Sequence, residues 1–451
     1  MLYNITMEEA MAKIEKTEVV EATEVEKADA ILTINKGFKY RLYPTEEQKV
    51  LLAKNFGCNR LVWNMALESR NNLYEDQKKS TTWVNQANEL KLLKETKKYG
   101  FLNEVNSQTL QQTLKQQSTA FTNFFRAPKQ FGYPQFKSKY NRQSITIPQH
   151  IEPITDAGVT KICKLGNIPT VFHRPMEGTI KHATISKTNA GSYYISFCCE
   201  VARQPEKKPV TIETTIGIDL GLKSFCILSD GQKFGNPKLL KESLEKVKHE
   251  QRCLSRKKKG SASYKEQKLK LAKACEHVAN QRMDFLQKLS HYIVGDSQTN
   301  TICVEDLNIK GMMKNHKLAK AIQDASWSEF VRLLMYKSDW CGKNLYKIGR
   351  FEASTKTCHV CGFKNNALTL EDREWLCPHC KTLLDRDVNA AINIKRIILE
   401  ELGLLKPLVP GATLEQVKES PVEQNASTVG SKDSTASICC EIGKYQANLF
   451  V

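Results

Sequence analysis

The sequence predicts a multidomain α+β protein, in which an antiparallel β-barrel is interrupted by a helical lobe and is followed by a mixed α/β domain carrying a zinc ribbon. Three observations predict it. Apolar residues recur at helical spacing across 46–126, short strand-like runs separated by turn residues fill 142–205, and strand-like and helix-forming stretches alternate over 214–400. At 451 residues the chain exceeds one ordinary core, so two or three domains are expected.

Residues 1–36 form an acidic extension, with Glu8, Glu9, Glu15, Glu18, Glu21, Glu24 and Glu26, and are expected to be poorly ordered or helical. From Gly37 to Tyr43 apolar or aromatic residues alternate with basic ones until Pro44 ends the strand. Thr45 and Gln48 then predict a capping box, and Val50, Leu51, Leu52, Phe56, Leu61, Val62 and Met65 give the helix its apolar stripe. A further helix, starting near Asn106 or Ser107, is marked by Leu110, Leu114, Phe121, Phe124 and Phe125. The strand at 37–43 has no partner within the helical lobe of 46–141. It is therefore expected to join the barrel, which would comprise 37–45 and 142–210, with the helices as an insertion. Barrel strands are predicted at 144–148, 169–171, 179–185 and 193–201, the last following a turn at Asn189, Ala190 and Gly191.

The α/β domain is expected over 211–350 and 381–403, around a ribbon at 351–380. Within it, 214–229 is strand-like, 238–295 predicts two long helices joined near Gly260, 301–304 and 344–349 are strands, and 325–341 is a helix. Pro407, Pro410 and Gly411 open a Ser/Thr/Glu-rich tail over 404–451, which is predicted to be flexible.

Lys and Arg outnumber Asp and Glu by 67 to 49, for a net charge of +18, as expected of a protein that binds a phosphate backbone. No apolar run is long enough to span a membrane and no signal peptide is legible, so a cytoplasmic, nucleoid-associated protein is expected. Most of the 15 cysteines are scattered, often in apolar runs where a free thiol acts as a small hydrophobe.

Four cysteines cluster. Cys358 and Cys361 form one C-x-x-C knuckle, Cys377 and Cys380 another, and the intervening stretch 362–376 suits a four-cysteine zinc ribbon. Two tight turns complete a tetrahedron with no open position, so the zinc would be structural. His359 and His379 lie inside the knuckles as alternative ligands, although four sulfurs are the simpler set.

A second chemistry rests on carboxylates. Asp219 sits in an apolar strand with Ile216, Ile218 and Leu220, and Glu305 and Asp306 end another such strand. Asp385 and Asp387 open a helix after the ribbon, where the helix dipole favours an anion. Each acid alone suits capping or ion pairing. Together they have the composition of a hard-cation site, because Mg²⁺ takes oxygen ligands and two ions can clamp both oxygens of a phosphodiester exchange.

The stretches Gly217–Gly221, Val304–Leu307, the two knuckles and Asp385–Ala391 resemble, in order and spacing, the nuclease domain of TnpB proteins. These are transposon-encoded RNA-guided DNA endonucleases related to type V CRISPR effectors. The likeness extends to Tyr40–Pro44, Asn59–Asn64, Asn123–Arg126, Gly132–Phe136, Ser255–Gly260 and Ser326–Phe330, covering about 37–400. It implies a wedge β-barrel with an inserted helical recognition lobe, then an RNase H-like (RuvC) domain with an inserted zinc ribbon. It also implies a transposon-end-derived guide RNA, double-stranded target DNA beside a short transposon-adjacent motif, and cleavage of both strands at one site. No membrane and no obligate protein partner is implied.

By motif position Asp219, Glu305 and Asp387 would hold Mg²⁺, two ions in all, with Asp385 the alternative third acid. Trp83, Ser107, Gln108 and Gln111 match the motif-reading face of the recognition lobe in part. Arg252, Arg256, Lys257, Lys258 and Lys259, at the junction of the two long helices, suit phosphate contacts. The competing readings are a guide-dependent repressor that does not cut, a type V CRISPR effector, and, more remotely, a transposase that joins ends itself.

Overall fold

The computed structural model describes residues 33–202, 207–236, 239–296, 298–315, 319–350, 352–369 and 371–407. The chain divides into two compact units, one comprising 1–207, 237–295 and 332–342, the other 208–236, 296–331 and 343–451. The acidic extension up to residue 32 and the tail from 408 lie outside the described residues.

In the first unit, strand β1 (Thr33–Leu42) leads into helix α1 (Glu46–Gln77). The strand takes in residues 33–36, so the predicted extension ends four positions earlier than the sequence suggested. Its pattern explains its place: Phe38, Tyr40 and Leu42 point into a core, while Lys39 and Arg41 face outward. Pro44 ends the ladder and Thr45 caps α1 with Gln48 in the expected reciprocal box. Helices α2 (Trp83–Glu95) and α3 (Ser107–Arg126) pack on α1 around Val62, Leu90, Leu102, Leu110 and Leu114.

Six strands follow: β2 (Gln143–Ile147), β3 (Ile151–Ile154), β4 (Val159–Ile162), β5 (Gly166–Val171), β6 (Thr179–Lys187) and β7 (Tyr193–Ala202). The sheet order β2-β6-β7-β1-β5-β4-β3 curls nearly closed around Tyr40, Ile168, Ile185, Ile195 and Phe197. Strand β1 lies at its centre, antiparallel to β7 from Thr33 opposite Ala202 to Leu42 opposite Tyr193, with α1–α3 inserted between β1 and β2. The four-residue strands β3 and β4 were not predicted, being too short to carry a period.

The second unit begins with β8 (Thr215–Leu220), β9 (Ser224–Leu228) and β10 (Lys233–Gly235). The chain then forms helices α4 (Leu239–Ser255) and α5 (Ala262–Gly295), turning at Gly260 with a φ of +87°. By packing, 237–295 groups with the first unit, whereas the sequence had assigned this stretch to the α/β domain. Strand β11 (Thr301–Glu305), helix α6 (Trp327–Trp340) and strand β12 (Asn344–Ile348) follow. The ribbon hairpin β13 (Glu374–Leu376) and β14 (Leu383–Asp385) runs into helix α7 (Arg386–Glu401). The second sheet has the order β10-β9-β8-β11-β12, with β8, β11 and β12 parallel, and α7 covers one face through Ala391, Ile394 and Ile398. No helix among the described residues is long and apolar enough to cross a membrane.

Candidate active site and metal centre

Asp219 and Glu305 are neighbours because of strand register. Parallel pairing of β8 with β11 sets Ile218 opposite Val304, so the next residue on each strand emerges at the same carboxyl end of the sheet and on the same side. Adjacent strands stand about 4.8 Å apart, which brings the two acids together from far-separated sequence positions. Open α/β sheets bind ligands at this edge.

The third acid arrives through a close approach of helix to strand. Gly217 lies two residues before Asp219 on the same face of β8, and a Cβ added there would stand 2.0 Å from the Ala391 carbonyl oxygen and 2.8 Å from the Lys395 amide. Only glycine allows α7 this close. One turn back along α7 from Ala391, about 6 Å, comes Asp387, while two residues along β8, about 6.6 Å, comes Asp219. The two carboxylates are thereby carried to the same end.

Their electrostatics agree. The Asp219 carboxyl is recessed, and burial first, then the charges of Asp387 and Glu305, push it up to about 7 against the opposing pull of Arg386. Burial and the adjacent Asp306 raise Glu305 as well. Asp387 is held by two guanidinium groups: Arg386 reaches Oδ1 at 3.0 Å, and Arg373 from the ribbon reaches Oδ2 at 3.5 Å. Asp306 pairs instead with Arg350 at 2.6 Å.

Asp385 has a different task. Its side chain accepts hydrogen bonds from the Asp387 and Val388 amides as the cap of α7, and Lys233 pairs with it at 2.5 Å. Burial pushes its carboxyl up, but Lys233 and the Val388 and Asp387 amides outweigh this and hold it below the usual carboxylate range. The chemistry of the remaining set, three oxygen-donor side chains of which one is recessed among like charges, fits divalent cations, with Asp219, Glu305 and Asp387 as the groups that would hold them. Lys233, Arg350, Arg373 and Arg386 carried no signal beyond ordinary charge, although Arg386 sits inside the motif itself.

The knuckle cysteines form a tight group. The four sulfurs lie within 4.8 Å of one another, with Cys358 and Cys380 3.7 Å apart and Cys361 and Cys377 3.6 Å apart. A disulfide would need about 2.05 Å, whereas a tetrahedron of Zn–S bonds near 2.3 Å has edges of about 3.8 Å. The sulfurs therefore fit zinc. Cys358, Cys361 and Cys377 are fully buried, with Leu368, Trp375 and Leu384 packed around them. The two histidines point elsewhere, His359 Nδ1 lying 2.9 Å from Asn389 Oδ1 and His379 stacking on Phe363.

The residues singled out for nucleic acid all lie in the first unit. Ser107, Gln108 and Gln111 share one face at the start of α3, where Ser107 and Gln111 are exposed, Ser107 accepts a bond from Lys94 and Gln108 donates to Gln149. Trp83, at the start of α2, packs against the helical core. Arg252, Arg256, Lys257, Lys258 and Lys259 are exposed at the turn between α4 and α5. Other motif residues prove structural: Asn59 bonds to Asn55 and to Thr109 and Thr113, and Trp63 and Asn64 tie down the strap at 135–137.

The fold is a Cas12-like α+β fold. A solved structure described as the Cas12f1–sgRNA–target DNA complex superposes with a TM-score of 0.50, 14% identity, and coverage of 80% of this chain and 99% of that one. Family models match at 196–316 ("Probable transposase"), 327–394 ("Cas12f1-like, TNB domain") and 34–79 ("Helix-turn-helix domain"). The last segment is here a strand followed by a single continuous helix. The chain is 38% identical over 364 residues, 80% of its length and 89% of the relative's, to a Streptomyces pristinaespiralis protein named "Putative RNA-guided DNA endonuclease". It is 28% identical over 372 residues to the Escherichia coli K12 protein of the same name with the suffix InsQ, covering 79% and 90% of the two chains. This chain belongs to the TnpB family.

Proposed function

We propose that the protein is an RNA-guided DNA endonuclease that hydrolyses target DNA in a Mg²⁺-dependent, RuvC-type site formed by Asp219, Glu305 and Asp387. The observation that carries this reading is the convergence of three acids from two parallel strands and one helix toward one sheet edge, where burial first, and then the charges of Asp387 and Glu305, push Asp219 up to about 7. Family membership and the names of the relatives support the guide-RNA and DNA parts of it. In domain terms, the curled sheet with its helical insertion is read as the wedge and recognition lobe, the second sheet with α7 as the RNase H-like domain, and 351–380 as a structural zinc ribbon. The guide is read as derived from a transposon end, and the target as lying beside a short adjacent motif.

When bound, divalent cations at such a site would neutralise the scissile phosphate and make a water molecule acidic enough to attack it. The protein's part is to position. Asp219 and Glu305, fixed by backbone register, offer oxygens from a rigid sheet edge. Asp387 completes the set from α7, which the close approach over Gly217 lets lie against the sheet. Exposed cations at the α4–α5 turn would meet the backbone of a guide–target duplex by charge and shape rather than by sequence.

The test is cleavage by the purified ribonucleoprotein, carrying a guide transcribed from the flanking transposon end, of matched DNA bordered by a randomised motif library with Mg²⁺. Cleavage adjacent to one enriched motif is expected, and Asp219→Ala should lower it by at least about 100-fold. Absence of cutting at every motif, or full activity in Asp219→Ala, overturns the reading. Binding to target without cleavage would instead favour the repressor.

A further inference from the structure

We propose that Asn389 is a positioning residue that sets Asp387 from the ribbon side, so that the zinc ribbon acts as part of the carboxylate site's scaffold; this rests on the functional reading above. Asn389 is 1% exposed in the first turn of α7, where a buried polar side chain is tolerated only with its bonds made. They go to the first zinc knuckle and the residues leading into it, including a longer bond from Nδ2 to the Thr355 carbonyl at 3.5 Å. Its Oδ1 accepts from the His359 backbone amide at 2.9 Å and lies 2.9 Å from His359 Nδ1, while its Nδ2 donates to the Thr357 carbonyl at 2.8 Å.

One turn further, buried Asn393 donates to the carbonyls of Ser354 at 2.7 Å and Thr357 at 2.6 Å. Arg396, on the next turn, donates to the His359 carbonyl at 3.4 Å. Thr357 and His359 flank the zinc ligand Cys358. The row Asn389, Asn393 and Arg396 therefore grips backbone whose path the four-sulfur site dictates.

The consequence is geometric. Gly217 sets how closely α7 lies on the sheet but, lacking a side chain, does little to resist rotation of the helix about its axis. A rotation of one residue is about 100° and would swing Asp387 off the sheet edge. The asparagine row opposes that rotation, and Asn389 sits only two residues from Asp387. Partners of this kind, behind the ligating groups, typically change metal affinity or activity about 10- to 100-fold when removed.

The test compares wild type, Asp387→Ala, Asn389→Ala, His359→Ala and the His359→Ala/Asn389→Ala double variant. Mn²⁺ binding to the guide-free protein is read by electron paramagnetic resonance, zinc by thiol titration, and cleavage by the guide-loaded protein. Asn389→Ala is expected to keep its zinc and raise the Mn²⁺ midpoint about 10- to 100-fold, with slower cleavage at saturating target and an unchanged half-saturating target concentration. His359→Ala should raise the midpoint less, and the double variant no more than Asn389→Ala alone.

An unchanged midpoint in Asn389→Ala beside a raised one in Asp387→Ala overturns this inference and leaves the functional reading standing. If Asp387→Ala itself alters neither Mn²⁺ binding nor cleavage, the functional reading falls and this inference with it. Should Asn389→Ala shed zinc, His359→Ala decides: it spares every zinc ligand, and a midpoint equal to wild type overturns the proposal.

Discussion

The four-cysteine group and the proposed carboxylate site lie in the same unit, yet they are assembled in opposite ways. The ribbon draws its ligands from two tight turns, and its sulfurs already stand within 4.8 Å of one another. The carboxylates come from β8, β11 and α7, and among the described residues they do not close into a group that tight. Thiolates turned inward among apolar side chains make a closed site that needs only its ion. Carboxylates gathered at a sheet edge repel one another and have no such closed shell of their own. A local site can thus be rigid by itself, whereas a non-local one borrows rigidity from packing, here from Gly217 beneath α7 and from the ribbon above it.

The largest effect should follow from breaking the local site. Structural zinc contributes on the order of 10 kcal/mol or more in small zinc domains, far above what the short β13–β14 hairpin can supply. Cys358→Ser, or a strong chelator, is therefore expected to release zinc, make 352–385 the first segment cut in limited proteolysis, and abolish cleavage, while 33–202 stays protected. If the ribbon resists proteolysis without zinc, its rigidity has another source.

A smaller effect should come from breaking the packing that the non-local site borrows. In Gly217→Ala the new methyl meets backbone at 2.0 Å, and backbone cannot swing aside. Overpacking of this kind costs about 1–3 kcal/mol. A lower melting temperature, a weaker Mn²⁺ midpoint and undiminished zinc content are expected, separating the two sites experimentally. A variant as stable and as tight for Mn²⁺ as wild type would show that the close approach does not govern the carboxylates.

This contrast also explains what the sequence revealed. The ribbon was legible from spacing because its geometry is set within two turns. Asp219 and Glu305 were legible as acids interrupting apolar strands, but their adjacency depends on the Ile218–Val304 register, which no local pattern encodes. The distinction between Asp385 and Asp387 rested on resemblance, and the structure adds the physical ground: Asp385 is committed to capping α7 and to Lys233. Arg373, Arg386 and Asn389 were not legible, since an arginine or asparagine gains its role from a partner brought near by folding. Strands β3 and β4 are too short to show a period, and the alternation that marks β1 is legible from Gly37 on, while its first four residues continue the acidic extension in sequence.

The smallest effect concerns pH, and its sign follows from the open site. Asp219 is pushed up to about 7, first by burial and then by Asp387 and Glu305. A folded pKa above the unfolded value means that the folded state holds its proton more tightly. This group's contribution to stability is therefore fully present at low pH and is lost as pH rises from about 4 through 7. A bound divalent cation must displace that proton, so the Mn²⁺ midpoint should be flat above pH 8 and rise below pH 7, approaching tenfold per unit for one proton. Glu305, also raised, should steepen the rise at lower pH. The ribbon, closed and apart from this edge, should keep its zinc across pH 6–8. Isothermal titration with Mn²⁺ at pH 8, 7 and 6 reads the effect, and Asp219→Asn, which has no proton to lose, should bind more weakly with a flatter profile. A wild-type midpoint independent of pH over that range would mean that Asp219 is already ionised before the cation arrives, and that the crowding of charge at the sheet edge is relieved by the protein itself.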